Sequence, residues 1–503
     1  MTTRCRPFPF AVLFVLLASA LPFASSRAAA AEERPNIVWI IVEDMSANFG
    51  CYGETSIETP HVDRLAAEGL RFTNAVVTAP VCSAARSALI TGMYQTSIGA
   101  HHHRSGRGEL KIRLPEDVRL VPRLFKDAGY RVLDLKPDEF LRSGDDLERD
   151  AKVGVAKTDY NFEWDESVYD REHWAQRPEG QPFFAQVQLH GGKHRGHGNG
   201  DRWPARVRKA LGSVTPREAV ELPPYLPDDP VIVEDWAQYL DTVRFTDHEV
   251  GQVIERLRQA GELERTYVFF ITDHGISHVR HKQFCYEGGI HIPLIVRGPG
   301  IEAGKVRRDP VEHIDLAATS LALAGIGVPP WMQARDVLAK GYAPREHVVS
   351  ARDRCDETVD RIRSVRGTRW KYIRNFYPKR PYLQPNAYKD AKPIVQAMRR
   401  LHVAGKLTEA QALVLAETRP PEELYDLEAD PYELRNLALA SEHAAVLGEM
   451  RRTLALWIAE TGDRGREPEP EAMYDSDMAV YLRGRPALEG TVELMKGWAA
   501  DGR

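Results

Sequence analysis

Two acidic pairs stand where apolar runs stop. The segment from Asn36 to Val42 is almost wholly apolar and gives way to Glu43-Asp44. Tyr267 to Ile271 is a second such run and gives way to Thr272-Asp273-His274-Gly275. Hard divalent cations gather several carboxylate oxygens, so Glu43, Asp44 and Asp273, with His274 beside them, are candidate ligands. One acidic pair after a strand is as readily a helix cap or a solvated turn. Two such pairs in one chain weaken that ordinary reading. A third candidate group is Cys82-Ser83-Ala84-Ala85-Arg86, running on through Ser87 to Gly92. Histidines follow in two places: His101-His102-His103 soon after Cys82, and His190, His194 and His197 after Leu189. The first set either faces a pocket or sits on a solvated loop; the second is either a site element or an adventitious metal-binding patch.

The elements that must position these residues can be read from periodicity. Asn36–Val42 reads as a strand buried on both faces, as in a parallel sheet covered by helices. His61 to Gly69 has helical apolar spacing and stops at a glycine. Ser87 to Thr91 reads as a helix closed by Gly92, and Val121 to Ala128 as another. Pro182 to Leu189 is strand-like, Trp236 to Gln259 a long amphipathic helix, and Tyr267–Ile271 and Ile292–Arg297 two more strands. Strands alternating with helices predict an α/β fold. In such sheets ligands sit at the carboxyl ends of the strands, where both acidic pairs fall. From about Glu346 the texture changes, with short strand candidates at Trp370–Arg374 and Glu423–Leu427. This predicts a smaller C-terminal α+β domain over residues 346–503, after a main domain over 34–345. The tail beyond Arg464 reads as charged and partly irregular.

Taken in order, these segments resemble the type I sulfatases. Cys82 to Arg86, with Leu89-Ile90-Thr91-Gly92, resembles that family's signature Cys-x-Pro-Ser-Arg followed by Leu-x-Thr-Gly. Asn36–Asp44 and Thr272–Gly275 resemble its two metal-binding strands. Lys282 and Glu287-Gly288-Gly289-Ile290-His291-Ile292-Pro293 resemble its Lys and Glu-Gly-Gly-x-x-x-Pro segment. Lys371-Tyr372-Ile373, Glu423–Leu427, Asp430-Pro431 and Asn436-Leu437 resemble its closing motifs. The resemblance runs from about Pro35 to Leu437 and is similar to the heparan N-sulfatase-like and bacterial arylsulfatase-like branches.

The resemblance implies an alkaline-phosphatase-like sandwich, one divalent metal, calcium by default, and a formylglycine (3-oxoalanine) made from Cys82. It implies metal ligands Glu43, Asp44, Cys82, Asp273 and His274, and catalytic Cys82, Arg86, Lys157, His194 and Lys282. His102, His103, Asp159 and Arg352 are assigned to the substrate. Lys157, followed two residues later by Asp159, fits the family's earlier Lys better than the alternative Lys136. Ala84 and Ala85 stand where the signature has Pro and Ser. Formylglycine-generating enzymes accept Pro or Ala two residues after the Cys and require the Arg four residues after it, so such an enzyme is an expected partner. The implied reaction is hydrolysis of sulfate esters or sulfamates, on a sulfated carbohydrate. A phosphonate or phosphate ester hydrolase of the same superfamily is one alternative, since fold does not fix chemistry. A non-catalytic homologue that binds sulfated glycan is the other.

Bulk properties set the remaining bounds. With 503 residues the chain can bury a large core. A formal net charge of -5 argues against a nucleic-acid binder. Arg4 and Arg6, the apolar run Phe8–Phe23 and the small residues Ala24–Ala31 read as a signal peptide over residues 1–31, so the mature chain is expected to be secreted or periplasmic. No later segment predicts stable membrane insertion. Cys5 leaves with the leader. Cys51, Cys285 and Cys355 read as buried thiols or one incidental disulfide, and no CxxC pair points to a zinc ribbon.

Overall fold

The strand Asn36–Val42 (β1) explains why an almost continuous apolar run is needed at the centre of this molecule. Successive side chains alternate between faces. Ile37, Trp39 and Ile41 enter one core and Val38, Ile40 and Val42 the other, all at most 1% exposed. A computed structural model describes residues 1–5, 7, 34–195 and 202–501. In it β1 is flanked on both sides by parallel partners, Phe183–Leu189 (β4) and Thr266–Thr272 (β5). Among the described residues the sheet has eight strands. Leu70–Val76 (β2), Arg131–Leu135 (β3), His291–Arg297 (β6), Lys305–Arg307 (β7) and Val311–Glu312 (β8) complete it in the order β3-β4-β1-β5-β6-β2-β7, with β8 beside β2. The β3, β4, β1 and β5 strands are mutually parallel; β6 runs antiparallel to both β5 and β2. The sheet is therefore mostly parallel but mixed.

Helices cover both faces. The long helix Pro230–Gln259 lays Trp236, Leu240, Val243 and Val250 on the Val38–Ile40 face, and the helix Pro60–Glu68 joins it there. The helices Cys82–Thr91, Val121–Asp127 and Asp315–Leu323 cover the opposite face. Every residue of Cys82–Thr91 is buried, which suits its run of small side chains. Gly92 closes that helix with φ +64°, a left-handed cap that glycine adopts without strain. This is the expected α/β sandwich.

A second, antiparallel sheet of four strands follows: Val348–Arg352 (β9), Ile362–Arg366 (β10), Trp370–Asn375 (β11) and Glu422–Asp426 (β12), in the order β12-β11-β10-β9. Residues from Arg34 onward form one compact unit that includes it. The tail beyond Arg464, read as partly irregular, is instead largely helical, over Glu471–Tyr481 and Glu489–Ala500. Its charges mask a real apolar stripe: Tyr474, Met478, Val492 and Met495 close on one another as a separate small core. The expected leader lies almost wholly outside the described residues. Among the described residues no helix is long and apolar enough to cross a membrane. Cys51, Cys285 and Cys355 are all free thiols.

Candidate active site

Three neighbouring parallel strands end together. Val42 of β1 pairs with Leu189 of β4 on one side and Thr272 of β5 on the other. Whatever follows those three residues must emerge side by side. Glu43-Asp44 follows β1, His190 to Lys193 follows β4, and Asp273-His274 follows β5. Backbone hydrogen bonds lock the tips: the Gly192 amide donates to the Glu43 carbonyl (2.9 Å), the Met45 amide to the His274 carbonyl (3.0 Å), and the Asp44 amide to Asp273 Oδ1 (3.0 Å).

Cys82 is the first residue of its helix, with Val81 as extended N-cap, and points at these tips. Its Sγ lies 3.2 Å from His274 Nε2, 3.7 Å from Asp44 Oδ1, 3.0 Å from Lys282 Nζ and 4.0 Å from Lys193 Nζ. Asp44, Cys82, Asp273 and His274 each offer a ligand atom within 4.8 Å of the others, and all four are buried. Glu43 stands just outside this cluster. Its carboxylate pairs with Lys193, with Lys157 Nζ at 3.0 Å and with Arg86 Nη2 at 3.8 Å. Arg86, one turn along the helix from Cys82, donates through Nε to Asp273 Oδ2 (3.0 Å) and through Nη1 to Gln188 (2.8 Å). Lys282 Nζ donates to both Asp44 oxygens at 2.9 and 3.1 Å, and the Tyr388 hydroxyl donates to Asp44 Oδ2 at 3.1 Å.

The electrostatics follow from this crowding. Burial drives the Cys82 thiol upward, but Lys157, Lys193, Lys282 and His274 outweigh it and bring the thiol down to about 6. Burial likewise opposes ionisation of Asp44, yet Lys282, Lys193 and His274 hold it well below the usual carboxylate range. His274 loses to burial and gains from Asp273 and Cys82, ending above its ordinary value. Backbone strain concentrates here as well. Asp44, Arg104, Asp159, Gln283 and Asp356 all have positive φ. Such conformations cost roughly 1 kcal/mol or more each and persist where the surroundings fix them.

A ligand set of buried carboxylates with one imidazole, already ringed by ammonium groups, fits a divalent cation. Asp44, Asp273 and His274 would hold it, with Glu43 at the edge.

Most residues singled out from the sequence converge: Glu43, Asp44, Cys82, Arg86, Lys157, Asp273, His274 and Lys282. His103 joins them, lining the same cavity as Cys82, with its Nδ1 2.9 Å from Ser83 Oγ. Asp159 lies at the edge, paired with Arg107 at 2.9 Å and with Lys157 Nζ at 3.9 Å. Lys136, the alternative to Lys157, is exposed at the start of a short helix.

Three expectations do not hold in space. His194 stacks its ring on Trp203 at 4.9 Å, in a pocket it shares with His190 and with Lys193, which also lines the Cys82 cavity. The residue brought to the thiol is Lys193. Gly191, with φ +48°, sets the turn that reverses the phase of the loop. At Gly192 a Cβ would lie 2.1 Å from the Asp44 carbonyl oxygen, so only glycine passes there. Arg352 is consumed by Asp360, which it shares with Arg419 in a buried network beneath the second sheet. His102 accepts from the Arg354 amide at 3.2 Å and faces Glu469 rather than the cavity. His197 lies outside the described residues. Sequence reasoning missed Tyr388 and Lys193; the signal available for Lys193 was the Gly-Gly step before it.

A family model described as Sulfatase matches residues 35–326, more than half of the chain. The chain belongs to the sulfatase family. A second model, N-sulphoglucosamine sulphohydrolase C-terminal, matches residues 274–392 of this sulfatase. Among relatives, an ulvan-active sulfatase of Formosa agariphila is 32% identical over 483 residues, covering 87% of this chain and 77% of its own. The human N-sulphoglucosamine sulphohydrolase is 26% identical over 474 residues, covering 85% of this chain and 90% of its own. A solved 2-O GAG sulfatase superposes with a TM-score of 0.57 at 21% identity, covering 88% of this chain and 96% of that one. The sandwich is thus the alkaline-phosphatase-like fold of sulfatases, and the enzyme hydrolyses sulfate esters or sulfamates.

Proposed function

We propose that this sulfatase acts on a sulfated carbohydrate, outside the cytoplasm, with Cys82 as the position of the nucleophile after oxidation to formylglycine. The observation that carries the reading is the convergence of three strand tips and one helix start on a single side chain, Cys82. Two relatives support the substrate class, because their names specify ulvan and N-sulphoglucosamine.

Asp44, Asp273 and His274, with Glu43, would hold one calcium or manganese ion. When bound, that ion and the oxidised side chain supply an acidified oxygen nucleophile that a thiol cannot. The chain's own groups do the rest. Lys157 and Lys193 are partly exposed, with side chains about 27% and 32% accessible, and both now neutralise Glu43. They are placed to receive the sulfate oxygens. Lys282 is buried and faces Asp44 and Cys82, where it would hold charge that builds on sulfur's oxygens in the transition state. Arg86 spans Asp273 and Glu43 and keeps the two strand tips in register with the helix start. The amides at the start of the Cys82 helix favour an anion at that point. Lys193 reaches the site from the solvent side. Burial opposes its charge, but Cys82, Asp44 and Glu43 hold the ammonium well above its ordinary value, so it stays charged and can neutralise charge on the departing group.

Turnover tests this reading. Protein made with a formylglycine-generating enzyme should release sulfate from sulfated oligosaccharides and leave the matching phosphodiesters untouched. Preferential phosphodiester hydrolysis would replace the reading with the phosphoesterase alternative. Tight glycan binding without sulfate release would replace it with the non-catalytic one.

A further inference from the structure

Beyond the sulfate pocket the cavity continues, and its walls change character. A space of about 310 Å³ opens in front of Cys82, and an adjoining one of about 220 Å³ shares His103, Arg104, Asp356, Tyr481 and Arg485 with it. Moving outward from Cys82, Lys193 and Lys282, the lining gives way to arginines: Arg104 and Arg107 from the loop after the Cys82 helix, and Arg483 and Arg485 from the turn after the helix Glu471–Tyr481. This second wall comes from the C-terminal tail, beyond the segment that carries the sulfate-binding residues.

The charges on these walls are poorly matched. Arg104 is 53% exposed at its side chain, and its ion pair among the described residues is with Asp356, at 3.9 Å. Arg107 pairs with Asp159 at 2.9 Å. Among the described residues Arg483 and Arg485 form no ion pair, and the Arg485 guanidinium lies over the Tyr481 ring at 4.8 Å. The facing acids are committed elsewhere or sunk in the floor. Asp477 and Glu469 are taken up by the buried Arg354, at 2.6 Å each. Asp356 is 5% exposed, and its Oδ1 accepts no hydrogen bond. The result is a buried acceptor at the bottom and exposed guanidinium groups at the rim, that of Arg485 backed by Tyr481.

We infer that Arg104 and Arg485 form a subsite for a second anionic group on the substrate, a carboxylate or a further sulfate. That group would lie on the sugar whose scissile sulfate meets Cys82 or on its neighbour, with Asp356 accepting a sugar hydroxyl between the two anions. The inference rests on the sulfatase reading and narrows its substrate to polyanionic sugars. Guanidinium groups recognise planar carboxylates and sulfates through paired N–H donors.

Binding can be measured apart from turnover, on full-length Cys82→Ser protein with calcium present. Calorimetric titration would use four ligands: para-nitrophenyl sulfate, a monosulfated hexosamine–hexuronate disaccharide, its carboxyl-reduced form, and a disulfated disaccharide without a carboxylate. Both arginines are exposed, so Arg104→Ala and Arg485→Ala should keep the thermal midpoint. The expected result is at least tenfold tighter binding of ligands carrying two anions than of those carrying one. That gain should disappear in the Arg104→Ala/Arg485→Ala double variant, while para-nitrophenyl sulfate binds as before. Which ligand shows the gain tells carboxylate from sulfate. Equal affinity for ligands with one and two anions, or a gain that survives the double variant, would overturn the subsite. If the unmutated enzyme releases no sulfate but the gain and its loss are both seen, the hydrolytic reading fails and the subsite stands.

Discussion

At the scale of single residues, the site is built by neutralising like with unlike. Glu43, Asp44 and Asp273 would repel one another without Arg86, Lys157, Lys193 and Lys282 between them. Of these cations, Lys193 was hidden from sequence reasoning. A histidine next door is the more familiar acid, and only the Gly191-Gly192 turn decides which side chain faces Cys82. Two single substitutions should therefore part company. Lys193→Ala should lower kcat by about 10²-fold, the low end for loss of one group that stabilises charge in the transition state. His194→Ala should change kcat by less than about threefold, because its ring packs on Trp203 instead of facing the thiol. Steady-state kinetics on one sulfated substrate decides between them. Cys82, Arg86, Asp44, Asp273 and Lys282 were legible because each sits inside a short local pattern. Arg352 was misread because its partners, Asp360 and Arg419, are chosen by the tertiary fold.

At the scale of elements, β1, β4 and β5 carry the site and the second sheet buttresses it. Their apolar continuity was plain in the sequence, since burial on both faces leaves no room for polar alternation. The strands β2, β9 and β10 and the terminal helices were not, because their patterns are short or diluted by charge. The buttress depends on a buried ion network. Burial alone would raise Asp360, but Arg419 and Arg352 hold it down to about 2. A carboxylate whose folded value lies below its ordinary one stabilises the fold above about pH 4 and loses that contribution as pH falls toward 2. The contribution is about 2 kcal/mol. Asp360→Asn should therefore cost about 3 kcal/mol at pH 7, as expected when one partner of a buried pair is removed. It should also flatten the acid limb between pH 4 and 2, as read from denaturant midpoints across that range.

At the scale of the whole molecule, one cation would tie β1 to β5 and so to both cores. A ligand that binds only the folded chain adds about 2.7 kcal/mol at a concentration 100 times its Kd. Calcium or manganese added back to chelator-treated protein should raise the thermal midpoint by a few degrees. Asp273→Ala should abolish that rise together with the bound metal, measured by elemental analysis of the purified chain. An unchanged metal content in Asp273→Ala would contradict the ligand assignment.

The proposed nucleophile at position 82 is an oxidised side chain in the grip of those strand tips. Its most direct test is the mass of the peptide containing Cys82, taken from protein that is actively releasing sulfate. The expected peptide is about 18 Da lighter than the thiol form, the change that accompanies conversion to formylglycine. An intact thiol at Cys82 in fully active enzyme would contradict it.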